Sequence, residues 1–233
     1  MPGEVADRLS ARHAAVCARI AAACARAGRS AADVGLVAVT KGVGPETVRA
    51  AASLGVRRFG ESYAQEAERK RVALADVPAL EWHFIGRVQR NKAATIAASV
   101  LVHSVADPRV GAALDREGDR RGVPVRALVQ VNVAGEASKA GVSPAELAPL
   151  LAALRAHRWL RVEGLMTIPP PLGTEAVRPF FAALRVLRDR QARADELREL
   201  SMGMSGDFEI AIEEGATLVR VGTALFGARK EVV

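Results

Sequence analysis

The sequence has 233 residues, with 33 basic and 26 acidic side chains and a formal net charge of +7. Half of the residues are hydrophobic and a quarter are charged, a composition typical of a globular protein with a sizeable core. No apolar run approaches the roughly 20 residues that a membrane-spanning helix needs. Arg8, Arg12 and Arg19 interrupt the N-terminal segment, which argues against a signal peptide.

The positive charge comes mainly from arginines that are scattered through helix-like segments such as 185–193. No compact basic block alternates with aromatic residues, so we expect a solvated surface and no nucleic-acid partner. Cys17 and Cys24 are seven residues apart in a helix-like segment. They are therefore roughly 10 Å apart along the helix axis, too far for a disulfide. Reduced thiols predict a cytoplasmic protein.

An amphipathic helix is predicted first, over residues 3–27, from the spacing of Val5, Leu9, Val16, Ile20 and Cys24. Strand-like and helix-like segments then alternate along the chain. Strands are predicted at 34–40, 56–60, 82–86, 100–104, 125–133, 161–168, 199–202 and 218–221. Helices are predicted between them at 45–53, 63–73, 91–98, 108–121, 144–156, 178–194 and 207–214.

Regular alternation of strands and helices predicts a parallel sheet in the α/β class. Eight such units without a low-complexity linker favour a single closed (β/α)8 TIM barrel over an open doubly wound sheet. The leading helix is an addition to the standard barrel. We expect residues 1–233 to form one domain.

The loops after the seventh and eighth strands have the composition of a phosphate site. In such barrels the active site lies at the C-terminal ends of the strands, and these two loops often bind phosphate. Glycines permit close backbone approach, and hydroxyls and a cation bind anions. The first loop contributes Ser201, Gly203, Ser205 and Gly206, and the second Arg220, Gly222 and Thr223. Ordinary turn chemistry explains either loop alone, but both together favour phosphate.

Lys41 directly follows the first strand and is therefore expected at the same end of the barrel. Alone, it fits a solvated cation at a strand end. Because the eighth strand of a barrel closes onto the first, Lys41 neighbours the predicted phosphate loops, where a partly desolvated amine can form a Schiff base. His83 is interpreted as a core histidine, and Glu61 and His103 receive no role. The four histidines lack the spacing of metal ligands.

Several motifs occur in order across most of the chain. They are LVAVTK at 36–41, FGESYAQE at 59–66, WHFIG at 82–86 with QRNK at 89–92, VNV at 131–133 with SKAG at 138–141, EGLMTI at 163–168, LSMGMS at 200–205 and VRVGTALFG at 219–227. As a set they resemble the YggS/PLPBP family, single-domain proteins that bind pyridoxal 5′-phosphate (PLP) and act in its homeostasis. Members of that family resemble the N-terminal barrel of alanine racemase.

The resemblance implies that Lys41 forms a Schiff base with PLP, that Arg220 approaches the pyridine nitrogen, and that Met166 packs in the pocket. It also implies that Ser205, Gly222 and Thr223 contact the phosphate through hydroxyl and backbone groups, and that Ser201 lies nearby. One departure is Ser62, which replaces the asparagine common in the family. A hydrogen bond from that position to the cofactor is therefore not expected from the resemblance.

The resemblance also implies a PLP carrier or homeostasis protein without robust turnover, with PLP-dependent apoenzymes as the expected partners. We expect a monomer, because no interface signature is visible in the sequence. A PLP-dependent amino-acid racemase is the alternative, but it needs a second base on the opposite face of the substrate. Tyr63 is the only tyrosine, and six residues follow Gly227, so no second domain is expected to supply that base. A PLP-independent barrel enzyme for a phosphorylated metabolite is a third possibility.

Overall fold

The computed structural model describes residues 2–136 and 139–228, and for residues 2–5 and 174 the backbone alone. Eight parallel strands form a closed barrel in chain order, which confirms the predicted (β/α)8 TIM barrel. The strands are β1 Gly35–Val39, β2 Arg58–Glu61, β3 Glu81–Phe84, β4 Leu101–Val105, β5 Val125–Gln130, β6 Leu160–Met166, β7 Glu199–Ser201 and β8 Leu218–Val221.

Helices connect the strands on the outside of the barrel. They are α1 Pro2–Arg26, α2 Pro45–Ser53, α3 Ala64–Ala73, α4 Ala93–Ile96, α5 Pro108–Arg121, α6 Leu147–Arg155, α7 Arg178–Asp189, α8 Phe208–Glu213 and α9 Thr223–Phe226. Short 3-10 turns occupy Ala31–Asp33, Arg90–Lys92, Pro144–Glu146, Thr174–Val177 and Ala194–Glu196. No helix in the described ranges is both long and apolar enough to span a membrane.

The additional N-terminal helix α1 is present and packs against α8. Arg19 forms a bidentate pair with Glu209 at 2.8 and 2.7 Å, and Arg26 pairs with Glu213 at 2.8 Å. The side chain of Val5 lies outside the described part of the chain. The rest of the apolar stripe is buried, namely Leu9, Val16, Ile20 and Cys24.

The helix predicted at 178–194 is shorter in the structure and ends at Asp189. Arg193 adopts a left-handed backbone conformation, with φ of 58°, and a separate 3-10 turn begins after it. A left-handed residue cannot continue a right-handed helix. The helical pattern of the sequence therefore runs several residues past the observed end of the helix.

Two apolar layers make up the core. The larger layer lies between the strands and the surrounding helices. A smaller cluster fills the interior of the barrel, and consists of Val37, Leu101, Leu128, Met166 and Leu218. Because strand side chains alternate, the next inward positions above Leu101 and Leu218 are His103 and Arg220. The interior therefore changes from apolar to polar toward the C-terminal ends of the strands.

Gly164 lies where the pairing of β5 with β6 shifts register, between Ala127 and Leu128. A Cβ atom at Gly164 would lie 1.9 Å from the carbonyl oxygen of Glu199 in β7. Backbone on a neighbouring strand cannot yield as a flexible side chain can. Close approach of β6 and β7 therefore depends on glycine at this position.

We expect Gly164→Ala to lower the free energy of unfolding by about 1–3 kcal/mol, because the methyl group forces the two strands apart. Urea unfolding followed by circular dichroism measures this change. Gly173→Ala is the matched control, since no atom lies within 4 Å of a Cβ there. Equal stability of the two variants would contradict the proposed close contact.

Candidate functional site

Lys41 lies in the turn that follows β1 at the C-terminal end of the barrel, and it is half-buried. Within the described residues, its side chain has no hydrogen bond or ion pair. The flanking backbone is held in place: Thr40 N donates to Gly60 O at 3.0 Å, and Gly42 N donates to Glu66 Oε1 at 2.7 Å. The amine is thus carried by a fixed turn while remaining available for chemistry.

A buried polar network lies directly beneath this turn. Lys70 Nζ donates to Thr40 O at 2.5 Å, to Glu61 Oε1 at 2.6 Å and to Glu66 Oε1 at 2.7 Å. The Thr40 hydroxyl donates to the same Glu61 oxygen at 2.6 Å. Burial raises the pKa of Glu61, and the hydrogen bonds from Lys70 and Thr40 oppose that rise. Lys70 therefore ties β1, β2 and α3 together below Lys41.

The sequence interpretation assigned no role to Glu61 and did not identify Lys70. The only sequence signal is the i,i+4 spacing of Glu66 and Lys70, which is common on exposed helix surfaces. Here the side chains of Lys70 and Glu61 are only 4% and 1% exposed.

The loops after β7 and β8 meet through one hydroxyl. Ser205 Oγ accepts hydrogen bonds from Gly222 N at 3.1 Å and from Ala224 N at 3.2 Å. Gly203 has φ of +90°, and a Cβ there would lie 2.6 Å from Ala211 Cβ, so the loop requires glycine. Thr223 begins α9 and is exposed. The structure therefore brings Ser205, Gly222 and Thr223 together at one edge of the mouth.

Arg220 is a buried cation in the barrel interior, 4% exposed. Its Nη1 donates to Ser201 Oγ at 2.7 Å, and its Nη2 donates to Thr167 O at 2.9 Å. Among the described residues, no carboxylate forms an ion pair with it. Burial lowers the pKa of Arg220 to about 10, while the charge of Asp207 acts in the opposite direction. Thr167, which orients Arg220 through its carbonyl group, was not identified from sequence.

Ser201 links Arg220 to two histidines. Ser201 Oγ lies 2.8 Å from His103 Nδ1, and His103 Nε2 lies 2.8 Å from His83 Nδ1. Both histidines are buried, as the core interpretation of His83 predicts. Burial, and then the charges of Arg58 and Arg126, lower the pKa of His83 to about 3. The pKa of His103 is also lowered well below its usual value, mainly by burial.

Four adjoining strands, β6, β7, β8 and β1, bring the predicted residues to one place. Parallel pairing aligns Val37 of β1 with Arg220 of β8, and Met166 of β6 is aligned with Ser201 of β7. Met166 is fully buried. Of the motifs used above, only Ser138 lies outside the described residues.

The donor set fits PLP. The Lys41 amine, which has no partner among the described residues, suits the aldehyde of PLP, and a loop of hydroxyl and backbone N–H groups suits its phosphate. A buried guanidinium without a carboxylate partner suits an acceptor such as the ring nitrogen. No group of three or more His, Cys, Asp or Glu side chains in the described ranges could hold a metal ion.

Comparisons with known proteins show which family the chain belongs to. The family model for the N-terminal domain of alanine racemase matches residues 14–230. A pyridoxal phosphate homeostasis protein of Aquifex aeolicus is 44% identical over 199 residues, which are 84% of this chain and 87% of that protein. The protein of the same name in Pseudomonas aeruginosa is 48% identical over 197 residues, 83% of this chain and 84% of that protein.

Solved structures agree on the fold. The structure of PipY from Synechococcus elongatus, with PLP bound, superposes with a TM-score of 0.81 at 34% identity, and the match covers 94% of this chain and all of that one. Alanine racemase from Corynebacterium glutamicum superposes with a TM-score of 0.69 at 18% identity, over 97% of this chain and 62% of that chain. The latter likeness shows the barrel alone.

We expect the buried histidines to make the protein sensitive to acid. Burial lowers the pKa of His83 to about 3 and lowers that of His103 well below its usual value, so as the pH falls below about 6.5 the unfolded chain binds protons that the folded chain does not. The free energy of unfolding should therefore fall as the pH falls through 6.5. Each histidine contributes about 1.4 kcal/mol per pH unit in this window.

Urea unfolding at pH 7.5 and pH 5.0 measures the effect. His83→Gln should lose about 2 kcal/mol less than the unmodified protein between these pH values, because it removes one of the titrating imidazoles. His13→Gln, on α1 and away from the barrel interior, is the control substitution. An unchanged dependence in His83→Gln would mean that the pKa of His83 is not lowered in the folded protein.

Proposed function

Because the chain belongs to the family of pyridoxal phosphate homeostasis proteins, we propose that it binds PLP as a Schiff base on Lys41. We further propose that it acts in PLP homeostasis or delivery and does not turn over a substrate. The observation that carries this proposal is the meeting of an unpaired amine, a hydroxyl-lined loop and a buried guanidinium on adjoining strands. The Lys41 turn and the Ser205 loop lie at the C-terminal ends of the strands, where barrel active sites are expected, and Arg220 lies on β8 in the barrel interior.

Each side chain has a role that follows from its chemistry. When PLP is bound, its aldehyde supplies the carbon with which a lysine amine condenses. Lys41 offers that amine from a turn fixed on both sides. Ser205 and Thr223 supply hydroxyls for the phosphate, and Gly222 lets the backbone approach it closely.

Arg220 is proposed to face the pyridine nitrogen, with Ser201 as its support and Met166 as the apolar wall. A guanidinium donates hydrogen bonds and does not accept a proton, so it would keep that nitrogen unprotonated. An unprotonated ring is a weaker electron sink, which disfavours carbanion chemistry. Holding the cofactor therefore fits these residues better than racemisation does.

Two further observations support a carrier. Tyr63, the only tyrosine in the sequence, is 65% exposed in the structure, which is unsuitable for a preorganised second base. The relatives described above carry the name of homeostasis proteins. Alanine racemases share the barrel but little sequence.

We propose PLP-dependent apoenzymes as the recipients of PLP. Four exposed apolar side chains lie on loops at the C-terminal mouth, on the same side as Lys41, and would suit a transient protein contact: Tyr63, Ile168, Leu172 and Met204. The free thiols of Cys17 and Cys24 support a cytoplasmic location. We propose that residues 1–233 act as one domain and as a monomer.

Lys41→Ala should abolish the covalent attachment of PLP while leaving the barrel folded, because the side chain makes no described contact that the fold needs. Stoichiometric PLP is added, the adduct is reduced with borohydride, and peptides are mapped by mass spectrometry. We expect an adduct on Lys41 in the unmodified protein and none in the variant. Circular dichroism should be the same for both.

Lys92→Ala provides the matched control, since Lys92 is a half-buried lysine after β3 at the same mouth. This variant should retain the adduct on Lys41. A reducible adduct that persists at another lysine after Lys41→Ala would show that the Schiff base is misassigned. A protein that takes up no PLP at all would contradict the proposed function.

A further inference from the structure

A hydrogen-bonded chain crosses the interior of the barrel from β8 to β3. It runs from Arg220 Nη1 to Ser201 Oγ at 2.7 Å, from Ser201 Oγ to His103 Nδ1 at 2.8 Å, and from His103 Nε2 to His83 Nδ1 at 2.8 Å. All four side chains are buried. Ser201 supports Arg220 in the proposed PLP site, but that site gives no role to His103 or His83.

The donor and acceptor roles along this chain are fixed from one end. A guanidinium has donors only, so Ser201 Oγ must accept from Arg220. Among the described residues the only other hydrogen-bond partner of Ser201 Oγ is His103 Nδ1, so the serine proton is satisfied only when it is donated to that nitrogen. A neutral imidazole has one donor and one acceptor nitrogen, so His103 Nε2–H must then donate to His83 Nδ1. The last N–H in the chain is that of His83 Nε2.

The far end of the chain favours the same direction. His83 Nε2 is buried and has no hydrogen-bond partner in the described residues. The nearest carboxylate oxygen is Glu81 Oε2 at 4.0 Å, which is paired with Arg58 at 2.9 Å. An N–H directed toward a carboxylate is attractive, whereas a lone pair in that position is repelled. Reversing the chain would place that lone pair there.

We propose that His103 and His83 are positioning residues, which direct the hydroxyl proton of Ser201 away from Arg220. The serine oxygen is then held as an acceptor, and together with the carbonyl of Thr167 it fixes two arms of the guanidinium fork. The orientation of Arg220 at the mouth is thereby set from the opposite side of the barrel. The consequence for PLP rests on the proposed function, but the direction of the chain does not.

The direction is tested first in the protein without added PLP. The sequence has four histidines, so His13→Gln combined with His157→Gln leaves only the two of interest. Long-range 1H–15N correlation spectra at neutral pH distinguish the tautomers. We expect both His103 and His83 to be neutral with the proton on Nε2. A proton on Nδ1 of either residue, or a charged imidazole, would overturn the proposal.

The effect on Arg220 is tested with PLP bound. His103→Phe removes the acceptor for the serine proton, and should weaken PLP binding by about tenfold, the equivalent of one buried hydrogen bond. It should also shift the absorption maximum of the bound cofactor. Ser201→Ala should shift it in the same direction, and the double variant should not exceed the larger single effect, because both act on one chain.

Two controls separate positioning from general destabilisation. His103→Gln, whose amide accepts and donates, should restore part of the affinity and the absorption maximum. Leu128→Ala, in the apolar interior cluster, should lower stability without shifting the maximum. An unchanged spectrum in His103→Phe, with the tautomers as expected, would refute positioning. If the unmodified protein binds no PLP, the proposed function fails while the tautomer result still decides the direction of the chain.

Discussion

Closure of β8 onto β1 is the constraint on which the candidate site depends. Gly35 to Ala38 pair in register with Leu218 to Val221, so residues from opposite ends of the sequence share one edge of the barrel. Lys41 and the loop that begins at Gly222 become neighbours only through this pairing. The outer core, the interior cluster and the helix packing all hold that closure in place, and local sequence near Lys41 could not create the site alone.

Two buried cations near the candidate site, Lys70 and Arg220, have different partners. Beneath Lys41, the ammonium of Lys70 meets two carboxylates, so the buried charges compensate one another. Around Arg220, no carboxylate in the described part of the chain pairs with the guanidinium, which donates to the neutral oxygens of Ser201 and Thr167 instead. The cost of an uncompensated buried cation is reduced when an acceptor ligand occupies its free donors. The first arrangement is structural, and the second is suited to a ligand.

Much of this organisation could be predicted from sequence, because strands buried on both faces give apolar runs that stand out from helical periodicity. Candidate site residues at strand ends, such as Lys41 and Ser205, follow from the position of active sites in barrels and from motifs. The chain through His83 and His103 could not be found in this way. Its members come from four strands, and their contacts depend on which side chains point inward at matching heights. Composition also does not reveal that α7 ends at Asp189 or that Arg193 then adopts a left-handed conformation.

The hydroxyl of Ser205 has a consequence for the energetics of loading. It already accepts from the N–H groups of Gly222 and Ala224. A phosphate bound at this edge, as proposed, would take over these two N–H groups and accept from the Ser205 hydroxyl, so it would replace existing hydrogen bonds and would not meet N–H groups that lack a partner. Such an exchange leaves the number of hydrogen bonds nearly constant, so the empty loop keeps its shape and the filled loop has little excess stability. A reservoir that must both accept and surrender its contents benefits from that near equality.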